Sequence, residues 1–271
     1  MATSEKGQVV LITGASSGIG AALAQEWAAR GAKVSMLARR KDQLENLAGE
    51  IRKRGGEALT LEADVTRPMD LERATQETLK AFGRIDVVVA NAGFGVLGSF
   101  EKLQISDFER QFSTNVYGVL HTAKATLSEL KKTRGLFMII GSVMGYIATP
   151  KASPYAMSKF AVRGLAESLY YEMKPLGVRV KYVAPGFIRT EIHKVNNQGQ
   201  HISEAKDSVP AWLRMSAEKA AQHIIRASHS HRQEIVITAH GQLIVFLQRH
   251  VPWLLSGVMS RFIKEHRAEA H

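Results

Sequence analysis

The first predicted strand and the turn after it decide the fold: residues 9–20 read VVLITGASSGIG. The apolar start VVLIT is typical of a buried strand, and Ile19, Leu23 and Trp27 follow at helical spacing. A glycine turn here can be merely structural, but it also presents backbone N–H groups and the positive helix end to a phosphate. Its place at the first strand of an alternating chain favours binding of a dinucleotide pyrophosphate. The expected contacts are Gly14, Ser16, Ser17, Gly18, Ile19 and Gly20.

Outward from this stretch, apolar runs typical of strands alternate with longer segments of helical period. The runs are Val9–Thr13, Val34–Ala38, Ala58–Leu61, Ile85–Ala90, Leu136–Ile140, Val178–Val183 and Ile235–Thr238. Strands separated by helices at this spacing predict right-handed βαβ units and a parallel sheet covered on both faces. The predicted fold is therefore α/β, a Rossmann-like doubly wound parallel sheet of about seven strands.

We predict a single domain at residues 1–240, which includes a polar substrate-loop insertion at 187–215, and a C-terminal amphipathic extension at 241–271. The extension has a broad apolar face with repeats of four residues: Leu254, Val258 and Phe262, and Leu255, Met259 and Ile263. Two interpretations stay open. The extension packs on the domain or on a partner subunit, or it lies as a basic amphipathic helix on a membrane surface. The expected assembly is a homo-oligomer, either a dimer or a tetramer.

Composition excludes several kinds of chemistry. The 271-residue chain has no cysteine, so disulfides, thiolate metal sites and a cysteine nucleophile are excluded. No apolar run reaches the roughly 18 residues that span a bilayer, and the start MATSEKGQVV lacks an apolar signal region, so we expect a cytoplasmic location. The net charge of +11 is interpreted as a solvated surface, because Lys and Arg are spread along the chain. The sequence contains no motif of interleaved basic and aromatic residues, so nucleic-acid binding is not predicted.

The end of the second predicted strand bears on the choice of cofactor. An NAD site carries a carboxylate about 20 residues past the glycine turn, where it accepts hydrogen bonds from the ribose. Residues 33–41 contain no acid, and Arg39 and Arg40 follow the strand. A guanidinium grips a 2′-phosphate by charge-assisted bonds, although an arginine on a surface loop is usually only solvated. We therefore predict NADP(H) rather than NAD(H), with Arg39 as the first candidate and Arg40 as the second.

A later helix carries a candidate proton-transfer group. Ser153-Pro154 is typical of a helix start, with Ser153 expected at the N-cap. Tyr155 and Lys159 lie one turn apart and continue the apolar stripe of that helix, where an unused lysine charge costs free energy of desolvation. The ammonium is expected to lower the pKa of the Tyr155 phenol towards neutrality. Ser142, after a buried strand, is placed to hydrogen-bond a carbonyl oxygen.

These motifs together resemble the short-chain dehydrogenase/reductase family over roughly residues 8–190. They are the glycine loop, Asn91-Ala92-Gly93, Asn115, Ser142, Tyr155-x-x-x-Lys159 and Pro185-Gly186. The resemblance implies an NADP(H)-dependent oxidoreductase that interconverts a carbonyl and an alcohol by hydride transfer. It makes Tyr155 the acid-base and Ser142 the orienter of the substrate oxygen. Lys159 would also hold the nicotinamide ribose, and Asn115 would position a water in a proton relay.

The resemblance also implies further cofactor contacts along the carboxyl edge of the sheet. They are Asp64 and Val65 at the adenine, Asn91, Ala92 and Gly93 along the cleft, and Pro185, Gly186, Ile188 and Thr190 at the nicotinamide. The chain departs from many members at Ala90, where a second Asn is common, and at Ser17, where some NADP-using members carry a basic residue. The 2′-phosphate would then depend more on Arg39.

Two other functions remain as alternatives. A sugar-nucleotide epimerase or dehydratase can share Tyr-x-x-x-Lys, but such proteins usually add a larger C-terminal domain than the residues after Gly186 provide. A cofactor-binding regulator without turnover has no need of a lysine on a core stripe. No metal site is predicted, because no histidine pair has acids at ligand spacing near the Tyr155 helix. Apolar residues around positions 94–97 and in the insertion, including Phe94, Leu97, Phe187, Ile192, Val195, Val209 and Trp212, predict a lipophilic substrate.

Overall fold

Parallel β-strands with helices between them form the framework in the computed structural model, which describes residues 5–189, 197 and 210–257. The main sheet has seven strands in the order β3-β2-β1-β4-β5-β6-β9, and every neighbouring pair is parallel. Its strands are β1 (Val9–Thr13), β2 (Lys33–Ala38), β3 (Glu57–Glu62), β4 (Val87–Ala90), β5 (Leu136–Ile140), β6 (Arg179–Ala184) and β9 (Glu234–Val236). A separate two-stranded pair joins β7 (Ile188–Arg189) and β8 (Met215–Ser216). The predicted doubly wound α/β sheet is confirmed.

Helices cover both faces of this sheet. They are α1 (Gly18–Ala29), α2 (Lys41–Lys53), α3 (Pro68–Phe82), α4 (Ile105–Phe112), α5 (Gly118–Thr133), α6 (Ser153–Met173), α7 (Ala217–Ser228) and α8 (Ala239–His250). One core joins the sheet to α1, α2 and α7 through side chains such as Trp27, Leu44 and Ile224. The other joins it to α3, α5 and α6 through Leu71 and Val162, among others. Burial on both faces explains why the central strands β1, β4 and β5 are almost entirely apolar, whereas the edge strands β3 and β9 are only partly buried.

The strand order reverses between β1 and β4, which are neighbours although β2 and β3 lie between them in the chain. In open α/β sheets a crevice forms at such a point, beyond the carboxyl ends of the strands. The glycine loop follows β1, Asn91 follows β4, and Ser142 follows β5, so the sheet brings these predicted residues to one edge.

Helix α8 begins two residues before the predicted extension and packs on the end of the sheet. Val245 is buried, and a Cβ added at Gly241 would lie 2.8 Å from Val143 Cγ2. Residues 252–257 are again helical, while Val258, Met259, Phe262 and Ile263 of the predicted apolar face lie outside the described residues. None of the helices in the described ranges is long and apolar enough to cross a membrane.

Two tryptophans do not pack as their apolar character predicts. Trp212, predicted to line an apolar substrate pocket, and Trp253, in the C-terminal extension, are 84% and 72% exposed. Both lie on short helical turns near the surface rather than between layers, so the apolar side chain alone did not indicate burial.

Candidate active site and cofactor cleft

The glycine loop after β1 has a backbone that only glycine fits. Gly14 and Gly18 have φ of +67° and +58°, in the left-handed region that disfavours other residues. A Cβ at Gly20 would lie 2.3 Å from the Gly14 carbonyl oxygen and 2.6 Å from Asn91 Nδ2. The loop is thus closed tightly against the end of β4. A glycine turn that leads into a helix start, as here before α1, is the arrangement that binds a dinucleotide phosphate in other α/β proteins.

A threonine that no sequence motif indicated ties the two sides of the cleft together. Thr13 Oγ1 accepts hydrogen bonds from the N–H groups of Asn91 at 3.0 Å and Ala92 at 3.1 Å. In return, Asn91 Nδ2 donates to the carbonyl oxygens of Thr13 at 2.9 Å and Gly14 at 3.2 Å. A hydroxyl on the last residue of β1, beside the turn, was the signal that could have identified it.

The two arginines after β2 have different surroundings. Arg40 Nη2 donates to Ser17 Oγ at 2.7 Å and to Ser16 Oγ at 3.0 Å, so this guanidinium lies on the glycine loop. The Arg39 side chain is exposed and has no hydrogen-bond or ion-pair partner within the part of the chain that the structure describes. Arg40 therefore supports the glycine loop, whereas the exposed Arg39, directly after β2, makes no contact of this kind among the described residues.

Asp64 and Val65 follow β3 at the same edge. The Asp64 carboxylate is occupied locally, since its Oδ1 accepts from Thr66 N at 2.9 Å and Thr66 Oγ1 at 2.8 Å. Val65 is buried against α5, where its carbonyl oxygen lies 2.8 Å from His121 Nδ1 and a Cβ at Gly118 would meet its side chain at 2.6 Å. Local bonds of this kind fix the shape of the edge where an adenine is expected.

Ser142, Tyr155 and Lys159 converge as predicted. Ser142 Oγ accepts from Met144 N at 3.1 Å, and interaction with the Ser142 hydroxyl lowers the pKa of the Tyr155 phenol. Lys159 is only 6% exposed and its Nζ donates to the Ile140 carbonyl oxygen at 3.1 Å, while lying 5.6 Å from the centre of the Tyr155 ring. The end of strand β5 and helix α6 therefore position a serine hydroxyl, a phenol and a buried ammonium next to one another.

The start of α6 differs in one detail from the prediction. The N-cap position is occupied by Ala152, and Ser153 is the first helical residue. The Ser153 hydroxyl is buried and has no hydrogen-bond partner among the described residues, so its expected role as N-cap is wrong. Pro154 lies in the first turn, as expected, because a missing N–H costs nothing there.

Burial controls the protonation of the Tyr155–Lys159 pair. It lowers the pKa of the Lys159 ammonium to about 8. It also raises the pKa of the Tyr155 phenol, and the hydrogen bond with Ser142 only partly opposes that effect. The expectation that Lys159 brings the pKa of Tyr155 below its ordinary value is therefore wrong, because desolvation of the phenolate outweighs the other effects.

Asn115 lies in a π-helical turn, Ser113–Tyr117, between α4 and α5; such turns are frequent at functional sites. Its side chain is buried and fully engaged: Oδ1 accepts from Phe94 N at 3.1 Å, and Nδ2 donates to Phe94 O at 3.0 Å and Ser158 Oγ at 3.2 Å. The side-chain amide thus connects the loop after β4 to α6.

Gln111 supports the same loop, although no sequence motif indicated it. Its Oε1 accepts from Val96 N at 2.6 Å and its Nε2 donates to Phe94 O at 2.8 Å. A polar residue four positions before Asn115, on the same helical face, was the available signal. Gly93 is closely packed against this group, because a Cβ there would lie 3.0 Å from Asn115 Oδ1.

The loop after β6 is the remaining part of the predicted cleft. Pro185 O accepts from Val143 N at 2.9 Å, which joins this loop to the one carrying Ser142. A Cβ at Gly186 would lie 2.2 Å from His240 Nε2, so this backbone is pressed against the start of α8. Ile188 is buried. Thr190, predicted at the nicotinamide, lies outside the described residues.

The predicted apolar pocket is described in part. Val96 is buried, whereas Leu97 and Phe187 are exposed beside the cleft. Asn197, of the 187–215 insertion, bonds the loop after β4: its Oδ1 accepts from Leu97 N at 3.0 Å and its Nδ2 donates to Leu97 O at 2.8 Å. Three predicted members lie outside the described residues: Ile192, Val195 and Val209.

Within the described ranges no group of three or more His, Asp or Glu side chains could hold a metal ion.

Known proteins resemble this chain in sequence and in fold. Residues 8–201 match the family model for short chain dehydrogenases. The chain is 33% identical over 269 residues to a dehydrogenase/reductase SDR family protein 7-like of Dictyostelium discoideum, an alignment covering 96% of this chain and 83% of that protein. It is 37% identical over 199 residues to 11-beta-hydroxysteroid dehydrogenase 1A of Arabidopsis thaliana, covering 73% of this chain but only 56% of that protein.

Solved structures agree with the sequence relatives. An alcohol dehydrogenase from the archaeon Thermococcus sibiricus, complexed with 5-hydroxy-NADP, superposes with a TM-score of 0.75 at 28% identity over 86% of this chain and 96% of that one. A 3-ketoacyl-(acyl-carrier-protein) reductase from Brucella melitensis, complexed with NADH, gives 0.74 at 27% identity over 85% and 96%. By its motifs, its fold and these matches, the chain is an oxidoreductase of the short-chain dehydrogenase/reductase family.

Proposed function

We propose that this protein is an NADP(H)-dependent oxidoreductase that interconverts a lipophilic carbonyl compound and its alcohol. The observation that carries the proposal is the convergence of Ser142, Tyr155 and buried Lys159 beside the glycine cradle. A bound nicotinamide supplies or accepts the hydride. The protein must then bind the substrate oxygen, exclude water and move a proton.

Each side chain has a distinct task in the proposed mechanism. In reduction, Tyr155 donates its phenolic proton to the oxygen that develops negative charge, and Ser142 orients that oxygen by a hydrogen bond. Lys159, in its protonated form, stabilises the phenolate that remains and holds the nicotinamide ribose. Because burial raises the pKa of Tyr155, the phenol keeps its proton until negative charge develops on the substrate oxygen and the proton is transferred to it. Asn115 keeps the loop after β4 in place beside this centre.

The preference for NADP(H) is proposed to depend on Arg39. Its guanidinium has no partner to give up among the described residues, so it can bind a 2′-phosphate without losing another contact. Arg40 already braces Ser16 and Ser17, which suits support of the glycine loop for either cofactor.

Arg39→Ala should therefore remove most of the difference in affinity between NADPH and NADH. One charge-assisted contact corresponds to roughly tenfold to a hundredfold in Kd. Arg40→Ala is the matched variant and should weaken both cofactors to a similar extent. Calorimetric titration of both cofactors against the three proteins measures this. Equal affinities in the wild type, or loss of the preference in Arg40→Ala alone, would contradict the assignment to Arg39.

We further propose that the apolar surface at the C-terminal end is covered in the functional state by a partner subunit or by a membrane. Leu243, Phe246 and Trp253 are exposed along this end, and residues 235–264 contain no acidic side chain. Exposed apolar and aromatic side chains suit either a second copy of the chain or a lipid surface, and the lack of acids in this stretch of sequence suits an anionic lipid.

Truncation after Val251 distinguishes a membrane from a partner subunit as the group that contacts the C-terminal segment. It removes Trp253 but leaves α8 and its Arg249–Glu234 ion pair at 2.7 Å in place. Sedimentation with anionic liposomes should decrease if the removed segment is interfacial. The mass in solution should decrease if the segment joins subunits. If liposome binding, mass and thermal stability all stay unchanged, the segment has neither role.

The proposed activity is tested by following the nicotinamide absorbance of NADPH with a panel of lipophilic ketones and aldehydes. We expect turnover with bulky apolar carbonyls and weaker turnover with small polar ones. A protein that binds NADPH but turns over no carbonyl or alcohol would instead be a cofactor-binding regulator.

A further inference from the structure

Ser142 is held through its backbone by a tyrosine of the neighbouring strand. The Tyr182 hydroxyl accepts a hydrogen bond from Ser142 N–H at 3.2 Å and donates one to the Ser142 carbonyl oxygen at 3.1 Å. Tyr182 is completely buried on β6, so water does not compete for either bond. One side chain therefore fixes both polar groups of the Ser142 backbone.

The surrounding chain is shaped to receive this ring. A Cβ at Gly141 would lie 2.1 Å from Tyr182 Cζ, and one at Gly145 would lie 2.2 Å from the Tyr182 hydroxyl oxygen. Glycines on both sides of Ser142 thus leave the space that the ring occupies. The register of β6 against β5, which pairs Tyr182 with Ile139, sets the height of the hydroxyl at the end of the sheet.

A second layer of contacts holds the turn that follows Ser142. Tyr146 packs edge-on against Tyr182, with ring centres 6.1 Å apart, and its hydroxyl donates to Glu234 at 3.0 Å. The same carboxylate accepts from Arg163 of α6 and Arg249 of α8, each at 2.7 Å. The turn is thereby anchored to three elements. Tyr182 bonds both polar groups of the Ser142 backbone, and the Ser142 carbonyl oxygen also accepts from Gly145 N at 2.9 Å.

We propose that Tyr182 is a positioning residue, which holds Ser142 at the place where its hydroxyl meets Tyr155 and the substrate oxygen. This inference rests on the proposed function. Its physical basis is that the positions of reacting groups must be accurate, since a misplacement of about 1 Å lowers the rate by up to about a hundredfold. Tyr182 itself acts only through Ser142.

Tyr182→Phe tests this, because the ring still fills the space between the glycines while both hydrogen bonds to Ser142 are lost. We expect kcat to fall by about tenfold to a hundredfold, with little change in the KM of the carbonyl or the Kd of NADPH. Tyr146→Phe is the matched control: it removes a hydroxyl of the same aromatic pair that bonds Glu234 instead of Ser142, and kcat should stay near wild type. In a Ser142→Ala background, adding Tyr182→Phe should cost no further kcat.

A second measurement does not depend on turnover. The bond with Ser142 lowers the pKa of Tyr155, while burial raises it; Lys159 and Tyr182 are the other ionisable groups beside it. NMR titration of protein labelled at tyrosine Cζ, assigned with Tyr155→Phe, should therefore show Tyr155 losing its proton at higher pH in Tyr182→Phe than in wild type.

The kinetic measurement and the titration together distinguish failure of the positioning role of Tyr182 from failure of the proposed function. Unchanged kcat and unchanged titration in Tyr182→Phe, in a protein that Tyr155→Phe inactivates, would overturn the positioning role and leave the proposed function intact. A shifted titration in a protein that turns over no carbonyl would support the positioning role and reject the proposed function. An unchanged titration with no turnover would reject both.

Discussion

Tyr155→Phe is expected to lower kcat by roughly a hundredfold or more while NADPH binds almost as tightly as before. The phenolic hydroxyl is the group placed to donate the proton, and interaction with the Ser142 hydroxyl lowers its pKa. Phenylalanine keeps the ring, which lies so close to the loop after β4 that a Cβ at Gly95 would be 3.6 Å from Tyr155 Cδ2. The shape of the cleft is therefore preserved in this variant.

Stopped-flow and steady-state measurement of NADPH oxidation test this expectation. Tyr171→Phe is the matched control, because Tyr171 lies on the same helix with its side chain exposed. It should behave as wild type. Turnover of Tyr155→Phe within about threefold of wild type would remove Tyr155 from the role of proton donor, since such groups contribute far more.

Lys159→Ala should impair both kcat and cofactor affinity, because the proposal gives this ammonium two tasks. Its buried position makes the charge costly, and that cost is offset only if something uses the charge. Lys181→Met is the matched control. Lys181 is also buried with its pKa lowered to about 8, but its Nζ donates to the Arg232 carbonyl at 2.9 Å, away from the cleft.

The pH dependence gives a second test of Lys159. Its pKa of about 8 means that the ammonium form prevails below pH 8 and the neutral amine above it. If the ammonium binds the cofactor, affinity for NADPH should fall as the pH rises above about 8 in wild type and in Lys181→Met, and should be flat in Lys159→Ala. The same slope in Lys159→Ala would show that another group titrates.

Much of the fold could be predicted because its central strands are buried on both faces. Such strands are continuous apolar runs, and each of the seven predicted runs lies on a strand of the main sheet, with ends that differ by at most two residues. Trp212 and Trp253 show the limit of that reasoning, because a large apolar side chain does not reveal whether a neighbouring layer covers it. Ser153 shows another, since the helix begins one residue earlier than its N-cap pattern indicated.

The candidate site could be predicted where spacing along one element places side chains together, as it does for Tyr155 and Lys159. Tyr182 and Thr13 were missed because their partners are backbone groups 40 and 78 residues away, which only the sheet brings near. The protonation of Tyr155 was misjudged for a related reason: a neighbouring charge can be read from the sequence, whereas the extent of burial depends on the folded packing.

Transfer of deuterium from the cofactor to the product shows whether this protein moves a hydride to a carbonyl carbon. NADPH carrying deuterium at C4 of the nicotinamide is supplied with a lipophilic ketone, and the product alcohol is analysed by mass spectrometry and NMR. Hydride transfer at the Ser142–Tyr155–Lys159 centre predicts one deuterium on the new carbinol carbon in wild type, from one of the two C4 deuterated forms, and almost none formed by Tyr155→Phe. An alcohol without deuterium from either form, or no alcohol from any carbonyl of the panel, would rule out hydride transfer to a carbonyl at this centre.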